Sequence, residues 1–482
     1  MLDLRPVGYV IGLLVAALGA AMFFPMLIDL AEGTTHWAAF LEAAIITITV
    51  GGLMALACAN GVKEHLSIQQ TFILTTGVWI ALPLFGAIPF ITGATDARLV
   101  NAIFEAMSGL TTTGSTVFSG LDDLPKGLLF WRALLQWFGG IGIIIVAMVF
   151  LPELRVGGMQ IFRSEAFDTL GKILPRATEI ASRISVIYFG LTITCAITYL
   201  GMGMTPFDAV THGMTTISTG GFSNYDASFG TFQTGEEYVA SLFMILAALP
   251  FVRYVQLLAG SSKPIWIDSQ IRAFLATISV VVAVLVAWHW LADGENTEAT
   301  FREILFNVTS IISGTGYASV DYTLWGPFAV AIFFFIGLIG GCAGSTACSV
   351  KIFRYQLLFS SIKSQIQRIH SPHGVFTPRY AGRRVGEDVL SSVMAFFVLF
   401  FVSLGVVAVL LAATGLDFVT AISGAASAIA NIGPGLGPII GPAGNFAPLN
   451  DTAKWILIAA MLIGRLELMT VYVLFTFSFW RG

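Results

Sequence analysis

Charged residues are scarce in this chain, and their scarcity excludes an ordinary soluble domain. Lys, Arg, Asp and Glu make up 11% of the 482 residues, whereas roughly a quarter of the residues in a soluble domain are charged. Hydrophobic residues make up 56%, and the mean hydropathy is +0.85. This composition is typical of a protein that lies in a lipid bilayer.

Cysteine and histidine are too few and too scattered for a disulfide scaffold or a metal centre. The 4 cysteines lie in or beside apolar segments, and the 6 histidines show no metal-ligand spacing. The HExxH and GxSxG patterns, the Walker A motif and the dinucleotide-binding fingerprint are also missing from the sequence. We therefore expect that the protein is not an enzyme, that the chain binds no cofactor and that its cysteines are small core residues.

Apolar segments long enough to cross a bilayer recur along the whole chain. A spanning helix needs roughly 20 apolar residues. The first segment is too long for a signal peptide and no small-residue cleavage site follows it, so we expect a retained helix. The predicted spans are 8–30, 38–59, 70–92, 128–152, 184–203, 238–260, 272–292, 327–347, 389–414 and 453–479.

The charges that are present separate by sign, and this separation predicts the orientation in the membrane. Basic residues cluster after residues 152 and 350, which predicts that both segments are cytoplasmic. Acidic residues cluster in the segments between, which we expect on the outer side. The basic residues are Arg155, Arg163, Lys172, Arg176, Arg183, Lys351, Arg354, Lys363, Arg368, Arg379, Arg383 and Arg384, and the acidic ones are Asp122, Asp123, Asp226, Glu236, Glu237, Asp293, Glu295 and Glu298.

Four runs rich in threonine, serine and glycine lie between the spans and are similar to one another. They read FEAMSGLTTTGST (104–116), VTHGMTTISTGGF (210–222), FNVTSIISGTGYA (306–318) and AISGAASAIANIGPG (421–435). A repeated unit of about one hundred residues is too long for a solenoid. In the register that we expect, the equivalent glycines are Gly114, Gly220, Gly316 and Gly433, preceded by Thr113, Thr219, Thr315 and Ile432.

Each run ends a short amphipathic segment of about a dozen residues, which cannot cross a bilayer. Non-helical backbone at membrane depth occurs where it is buried in protein or lines a water-filled cavity. We therefore predict four units of helix, re-entrant half-helix, loop and helix, whose loops form a ring of carbonyl oxygens for a cation. The alternative is that these small residues only pack helices together, but four matching runs favour a pore. We expect Asp208 and Asp417 to cap half-helices and Glu105 to hydrogen-bond behind its loop.

Several motifs together resemble a known family over nearly the whole chain. They include SGLTTTGST at 108–116, LQWFGGIGI at 135–143, VGGMQ at 156–160, GGCAGST at 340–346, NIGPGLG at 431–437, AKWILIA at 453–459 and GRLEL at 464–468. The chain resembles the Trk/Ktr/HKT superfamily of K⁺ transporters, and within it the TrkH-type membrane subunits of bacterial Trk K⁺-uptake systems. The resemblance implies an all-α polytopic membrane protein. Two leading transmembrane helices would precede four helix–pore-loop–helix repeats in a pseudo-fourfold arrangement around one pore.

The resemblance also implies the boundaries of these parts and the residues of a selectivity filter that binds K⁺, the transported ion. Gly114 in the first loop favours K⁺, because serine there accompanies Na⁺ preference in plant relatives. The leading pair would be 1–66, and the repeats 67–155, 156–262, 263–370 and 371–482. The filter would consist of Thr112, Thr113, Gly114, Ser218, Thr219, Gly220, Gly314, Thr315, Gly316, Asn431, Ile432 and Gly433.

Glycine and serine interrupt the second helix of the third repeat, within GLIGGCAGSTACSVK at 337–351. Such residues break helices. The alternative to a functional loop is a kink in an otherwise continuous helix. The resemblance implies an intramembrane gating loop at 339–350 that blocks the pore below the filter and moves aside on opening. Family members usually have further glycines where Ala347, Cys348 and Ser349 stand here. The residues implied in the gate are Gly340, Gly341, Gly344, Ser345 and Thr346.

Arg465 lies in the middle of the last predicted span, where an ionisable group is a functional hypothesis by default. The matching arginine of the family lies under the filter as an electrostatic barrier to cations, and we expect carbonyls of the gating loop as its partners. The alternative is a structural pair with Glu467. Residues two apart on a helix do not face each other, which favours the barrier.

The resemblance further implies a homodimer with one pore per chain, surrounded by membrane lipid. A cytoplasmic ring of nucleotide-binding regulatory subunits of the TrkA type would dock on the basic segments 153–183 and 351–385. The protein would lie in the bacterial inner membrane with both termini cytoplasmic. The competing function is a Na⁺- or H⁺-coupled secondary transporter, which predicts inverted repeats, whereas these four repeats run in parallel.

Overall fold

The chain folds into a bundle of helices, and a computed structural model describes residues 2–61, 66–146, 158–159, 177–232, 235–293 and 297–481. Four basic residues of the predicted cytoplasmic segment after 152 lie outside these ranges, as does most of the VGGMQ motif. These four are Arg155, Arg163, Lys172 and Arg176.

A leading pair of helices precedes the repeats. α1 (Arg5–Ala21) continues into α2 (Phe23–Ala31), and α3 (Trp37–Cys58) returns across the bundle. Small residues let α1 and α3 touch along their backbones, because a Cβ on Gly12 would lie 2.7 Å from the carbonyl oxygen of Gly51. α1 also packs against α4, the first helix of the first repeat.

Four repeats follow, each with an outer helix, a half-helix, a loop and a second helix. The first three contain α4 (Ile68–Gly86), α5 (Ile88–Thr92), α6 (Leu99–Leu110), α7 (Lys126–Ile145), α8 (Ala177–Gly201), α9 (Pro206–Ile217), α10 (Glu236–Ala247), α11 (Phe251–Leu258), α12 (Lys263–Ile267), α13 (Ser269–Asp293), α14 (Glu298–Ser313) and α15 (Pro327–Gly337). Along the chain, α15 is followed by β1 (Ile339–Gly340), β2 (Val350–Lys351), α16 (Ile352–His370), β3 (Arg379–Tyr380), β4 (Arg383–Arg384), α17 (Glu387–Ala413), α18 (Phe418–Ala430), α19 (Gly437–Ile440), α20 (Asp451–Arg465), α21 (Met469–Tyr472) and α22 (Phe477–Arg481).

The half-helices α6, α9, α14 and α18 have the predicted lengths of 12, 12, 16 and 13 residues. Side chains satisfy backbone N–H groups at the start of three of them. Asp417 accepts from the N–H of Thr420 at 3.1 Å, as predicted. In the second half-helix the cap is Thr205, and Asp208 lies in the first turn and hydrogen-bonds to it.

The repeats are arranged in a circle. Each half-helix packs against the second helix of the preceding repeat, since α9 contacts α7, α14 contacts α10 and α18 contacts α15. The first half-helix, α6, contacts α20 of the fourth repeat, which closes the circle. This cyclic order is the pseudo-fourfold arrangement that the sequence predicts.

Seven helical segments of the described chain are long and apolar enough to span a membrane, and they correspond to seven of the ten predicted spans. Two predictions of a continuous span are wrong. The segment 238–260 bends by 88° between α10 and α11, and 453–479 bends by 105° between α20 and α21. The helix of the remaining segment, 327–347, stops at Gly337 after 11 residues, where the glycine-rich run 337–351 predicts an interruption.

The segment that follows Gly337 is non-helical, as the glycine pattern predicts. We call residues 339–350 the buried loop, because Gly340, Ser345, Thr346 and Ala347 are all buried within the bundle. Its two ends pair as parallel strands, β1 with β2. α16 then begins directly at Ile352 and ends at His370, and the β3–β4 hairpin packs against its middle through Ser360 and Arg379.

Candidate functional site

Four short loops follow the C-terminal ends of the half-helices and share one backbone conformation. We call 112–114, 219–221, 314–316 and 431–433 the pore loops. Their first residues have φ values of +51°, +51°, +75° and +51°, and their third residues of +86°, +75°, +82° and +114°. The first residues are Thr112, Thr219, Gly314 and Asn431, and the third are Gly114, Gly221, Gly316 and Gly433. The left-handed conformation at the third residue of each loop explains why that residue is glycine in all four loops.

The predicted register of the second loop is wrong by one residue. Gly221, rather than Gly220, has the positive φ that matches Gly114. The N–H of Gly220 bonds to the carbonyl five residues earlier, at 2.9 Å, as the N–H of Thr113 does in the first loop. Gly220 is therefore equivalent to Thr113. Ser218 lies before the loop, where it is the C-cap residue of α9.

The pore loops contact one another in a closed ring. A Cβ on Gly114 would lie 2.3 Å from the carbonyl oxygen of Gly220, and one on Gly221 would lie 2.0 Å from that of Thr315. The third and fourth contacts are equivalent: a Cβ on Gly316 would lie 1.9 Å from the carbonyl oxygen of Ile432, and one on Gly433 would lie 2.9 Å from that of Thr113. A side chain at any of these glycines would therefore press on the neighbouring loop.

The four glycines also line one cavity of about 250 Å³. Its wall includes the hydroxyl-bearing residues that follow the loops and the carboxylate of Asp226. Tyr225 lines it as well and donates to Asp208 at 2.9 Å. Burial and this hydrogen bond raise the pKa of Tyr225 to about 12, so the phenol stays a neutral donor at physiological pH.

A buried ion pair holds the first two pore loops from behind. Glu105 and Arg132 are fully buried, and their side chains approach to 2.8 Å. The carboxylate also accepts from the N–H of Val117 at 2.9 Å, and the guanidinium donates to the carbonyl of Ser223 at 2.7 Å. The predicted hydrogen-bonding role of Glu105 is confirmed. The sequence analysis missed Arg132, although a lone arginine within a predicted span marks it.

The buried loop lies directly against three of the half-helix ends. The Cys348 thiol contacts the hydroxyl of Thr112 at 3.7 Å, and a Cβ on Gly314 would lie 3.1 Å from the Cys348 nitrogen. The N–H of Ser349 donates to the carbonyl of Ala430 at 2.9 Å. On its other side, Thr346 donates to the carbonyl of Ala247 at 3.0 Å. Cys348 and Ser349 thus contact the half-helix ends, whereas Thr346, one of the residues predicted for the gate, contacts the end of α10.

Arg465 joins the same cluster, with its side chain buried. Its Nη1 donates to the Sγ of Cys348 at 2.6 Å, and its Nη2 donates to the carbonyl of Gly139 at 3.1 Å. The expected partners, carbonyls of the buried loop, are therefore wrong. Among the described residues its Nε has no hydrogen-bond partner. The alternative pair with Glu467 does not form, because Glu467 forms an ion pair with Arg354.

Two basic residues of the segment 351–385, which we predicted as a docking surface, are buried in the structure. Lys351 is buried and donates to the carbonyl of Ala347 inside the buried loop. Arg354 is fully buried, and its guanidinium lies 3.7 Å from the ring centroid of Phe396. These two residues are therefore unsuitable for docking a partner, and the prediction that the whole segment is a docking surface is wrong for them.

Comparisons with known proteins agree with this geometry. The family model described as "TrkH: Cation transport protein" matches residues 36–480. The Trk system potassium uptake protein TrkI of Halomonas elongata is 41% identical over 478 residues, which cover 99% of this chain and 97% of that protein. This chain belongs to the TrkH family. The resemblance found in the sequence is thus confirmed.

Other relatives support the family assignment along the full length of the chain. The Trk system potassium uptake protein TrkH of Escherichia coli K12 is 35% identical over 484 residues, covering 99% of both chains. The crystal structure of the potassium transporter TrkH from Vibrio parahaemolyticus superposes with a TM-score of 0.91 at 33% identity, covering 100% of both chains. The chain is therefore a multi-pass membrane protein with the TrkH-family fold.

Proposed function

We propose that this TrkH-family protein takes up K⁺ across the bacterial inner membrane through a channel-like pore. The observation that carries the proposal is the closed ring of four pore loops, each held in the same conformation and each contacting the next. Relatives along the whole chain are named as potassium uptake proteins. Backbone carbonyls of such a ring can replace the hydration shell of a monovalent cation.

The filter in this proposal consists of the four pore loops, with K⁺ as the transported ion. The middle carbonyls are those of Thr113, Gly220, Thr315 and Ile432, which lie at the four contacts between loops. The half-helices direct their C-terminal ends towards the loops, and the negative end of a helix dipole favours a cation. Gly221 replaces Ser218 in the filter proposed from the sequence.

The buried loop and Arg465 form the gate in this proposal. The loop contacts the ends of three half-helices, so it occupies the side of the filter where an ion would leave. Arg465 adds a positive charge at the same place, and its two hydrogen-bond partners are a cysteine side chain and a backbone carbonyl rather than a carboxylate. In this proposal the loop and the guanidinium close the pore, and opening requires both to move.

A cytoplasmic ring of nucleotide-binding subunits of the TrkA type controls this gate in our proposal, and the chain works as a homodimer with cytoplasmic termini. The Trk-system names of the relatives support an association with other components. The exposed residues Arg379, Arg383 and Arg384 on the β3–β4 hairpin offer a docking surface. This hairpin packs against the middle of α16, where Ser360 and Arg379 exchange hydrogen bonds of 3.0 and 3.1 Å, and α16 starts at the end of the buried loop.

Flux measurements on reconstituted protein test the filter. In liposomes we expect passive K⁺ flux that exceeds Na⁺ flux. Gly114→Ser should abolish the preference, because its Cβ would lie 2.3 Å from a carbonyl oxygen of the next loop. Gly415→Ser is the matched control, since Gly415 also has a positive φ, +95°, but no atom lies within 4 Å of an added Cβ. Flux that requires a Na⁺ or H⁺ gradient would contradict the channel-like pore and favour coupled transport.

A further inference from the structure

An apolar pocket of about 440 Å³ lies outside the ion path, between the leading helix pair and the first repeat. We call it the lateral pocket. Residues 10–18 of α1, 74–82 of α4 and 138–146 of α7 contribute most of its lining. The lining residue with a hydroxyl group is Thr75, and this hydroxyl already donates to the carbonyl of Thr71 at 2.8 Å. The other lining residues within the described part of the chain are glycine or have aliphatic or aromatic side chains.

The position of the lateral pocket decides what can fill it. All three helices pass the length and hydropathy requirements for membrane spans, and the pocket is lined by interior turns of α1 and α4. Leu13 and Leu14 on the same stretch of α1 are 47% and 39% exposed, so the helix faces the hydrocarbon there. Apolar cavities stay dry and accept apolar ligands. At this depth the apolar molecules available are lipid acyl chains.

The inner wall of the lateral pocket belongs to the gate and the filter. Leu110, the last residue of the first half-helix, and Gly139, whose carbonyl accepts from Arg465, both line it. Trp79 lines it too, and its ring centroid lies 5.5 Å from the Arg465 guanidinium. An occupant of the pocket would therefore pack against the residues that position Arg465.

We propose that the lateral pocket binds one acyl chain of a membrane phospholipid, packed against Trp79 beside the gate. The pocket lies in the hydrocarbon layer, has an apolar lining with its hydroxyl already paired, and reaches from the lipid-facing surface of α1 to the Arg465 cluster. This binding does not depend on the transported ion, so it stands or falls separately from the proposed function.

Gly142 offers a way to fill the lateral pocket without disturbing the fold. It lines the pocket on α7, and the nearest atom to an added Cβ is on the Trp79 ring at 3.8 Å, an ordinary van der Waals distance. A leucine at this position would therefore occupy the space of the acyl chain. Gly405→Leu is the matched control, since Gly405 is an exposed glycine of the spanning helix α17 with no atom within 4 Å of an added Cβ.

The experiment uses the full chain in nanodiscs that contain a phosphatidylethanolamine with a diazirine on one acyl chain. After irradiation, mass spectrometry maps the adducts on peptides of α1, α4 and α7, relative to those of α17. We expect a severalfold enrichment at the lateral pocket in the wild-type protein and in Gly405→Leu, and its loss in Gly142→Leu. Thermal unfolding of each variant checks that the fold is kept.

Two results would overturn the proposal. Equal labelling of the wild-type protein and a folded Gly142→Leu variant would mean that only surrounding lipid had been captured. A wild-type protein without enriched label at the pocket would mean that lipid does not fill it. Ion flux is not part of this readout, so failure of the filter proposal would leave the result unchanged.

Discussion

Removing the charge of Arg465 should increase the leak of K⁺ through the closed protein. The guanidinium reaches Thr112 of the first pore loop through Cys348, in contacts of 2.6 Å and 3.7 Å. A cation at Thr112 is therefore about 7 Å from the charge, and at an effective dielectric constant of about 20 two unit charges at that distance repel by about 2 kcal/mol. This energy corresponds to an increase in flux of about 30-fold.

Three substitutions separate the charge of Arg465 from its role as an anchor for the buried loop. Arg465→Ala removes both, Arg465→Gln removes the charge but keeps a hydrogen-bond donor, and Arg465→Lys keeps the charge. Passive K⁺ efflux from liposomes, without any regulatory partner, should rise similarly in the Ala and Gln variants and stay near the wild-type rate in Lys. Arg98→Ala is the control for loss of a basic residue, because Arg98 is exposed and pairs with Asp451.

A Lys variant that leaks as much as the Ala variant would refute the electrostatic reasoning. In that case the fit of the guanidinium against Cys348 and Gly139 would matter, and its charge would not. An unchanged flux in all three variants would mean that the buried loop alone closes the pore.

Three further predictions follow from the site. Gly221→Ala should reduce K⁺ flux more than Gly220→Ala in liposomes, because Gly221 has a positive φ and its added Cβ would lie 2.0 Å from a backbone carbonyl of the next loop, whereas a Cβ added at Gly220 would lie 2.4 Å from the end of the Gln136 side chain; a larger loss in Gly220→Ala would contradict the revised register. Arg354→Met should lower the free energy of unfolding by about 3–5 kcal/mol, because it leaves the charge of Glu467 unpaired, and adding Glu467→Leu should restore most of it. Thermal unfolding in nanodiscs measures this pair, and a double variant no more stable than the single one would count against it. Cys348→Ala should raise the leak less than removal of the Arg465 charge does, because it takes away one hydrogen-bond acceptor and leaves the charge; a flux as high as in Arg465→Ala would refute this order.

The repeated part of the fold could be predicted because each repeat carries its own local signal. Four half-helices of nearly equal length end in small, polar residues. Non-helical backbone at membrane depth must be buried in protein or line a cavity, which restricts how such segments can be placed. The register of the second loop could not be settled in the same way. Gly220 and Gly221 are adjacent glycines, and only the backbone angles show which of them takes the left-handed conformation.

The two unexpected bends have different causes. Pro250 lies at the bend between α10 and α11, where it lacks the N–H needed to continue a helix, so this break was readable in the sequence. The bend after α20 has neither glycine nor proline between its helices. There Glu467 and Leu468 have φ values of +59° and +48°, and the Glu467 side chain is held by Arg354, which lies 113 residues away in the sequence. A contact of that range leaves no local pattern.

The pairing of β1 with β2 ties the entrance of the buried loop to its exit. The two ends of the buried loop are therefore held together, and the loop cannot extend unless this strand pairing breaks. A displacement of the buried loop would also move the start of α16, because that helix begins at the residue after β2. With 19 residues, α16 is about 28 Å long. A helix is stiff, so a force applied at the far end of α16 would be transmitted to the residue that joins this helix to the buried loop.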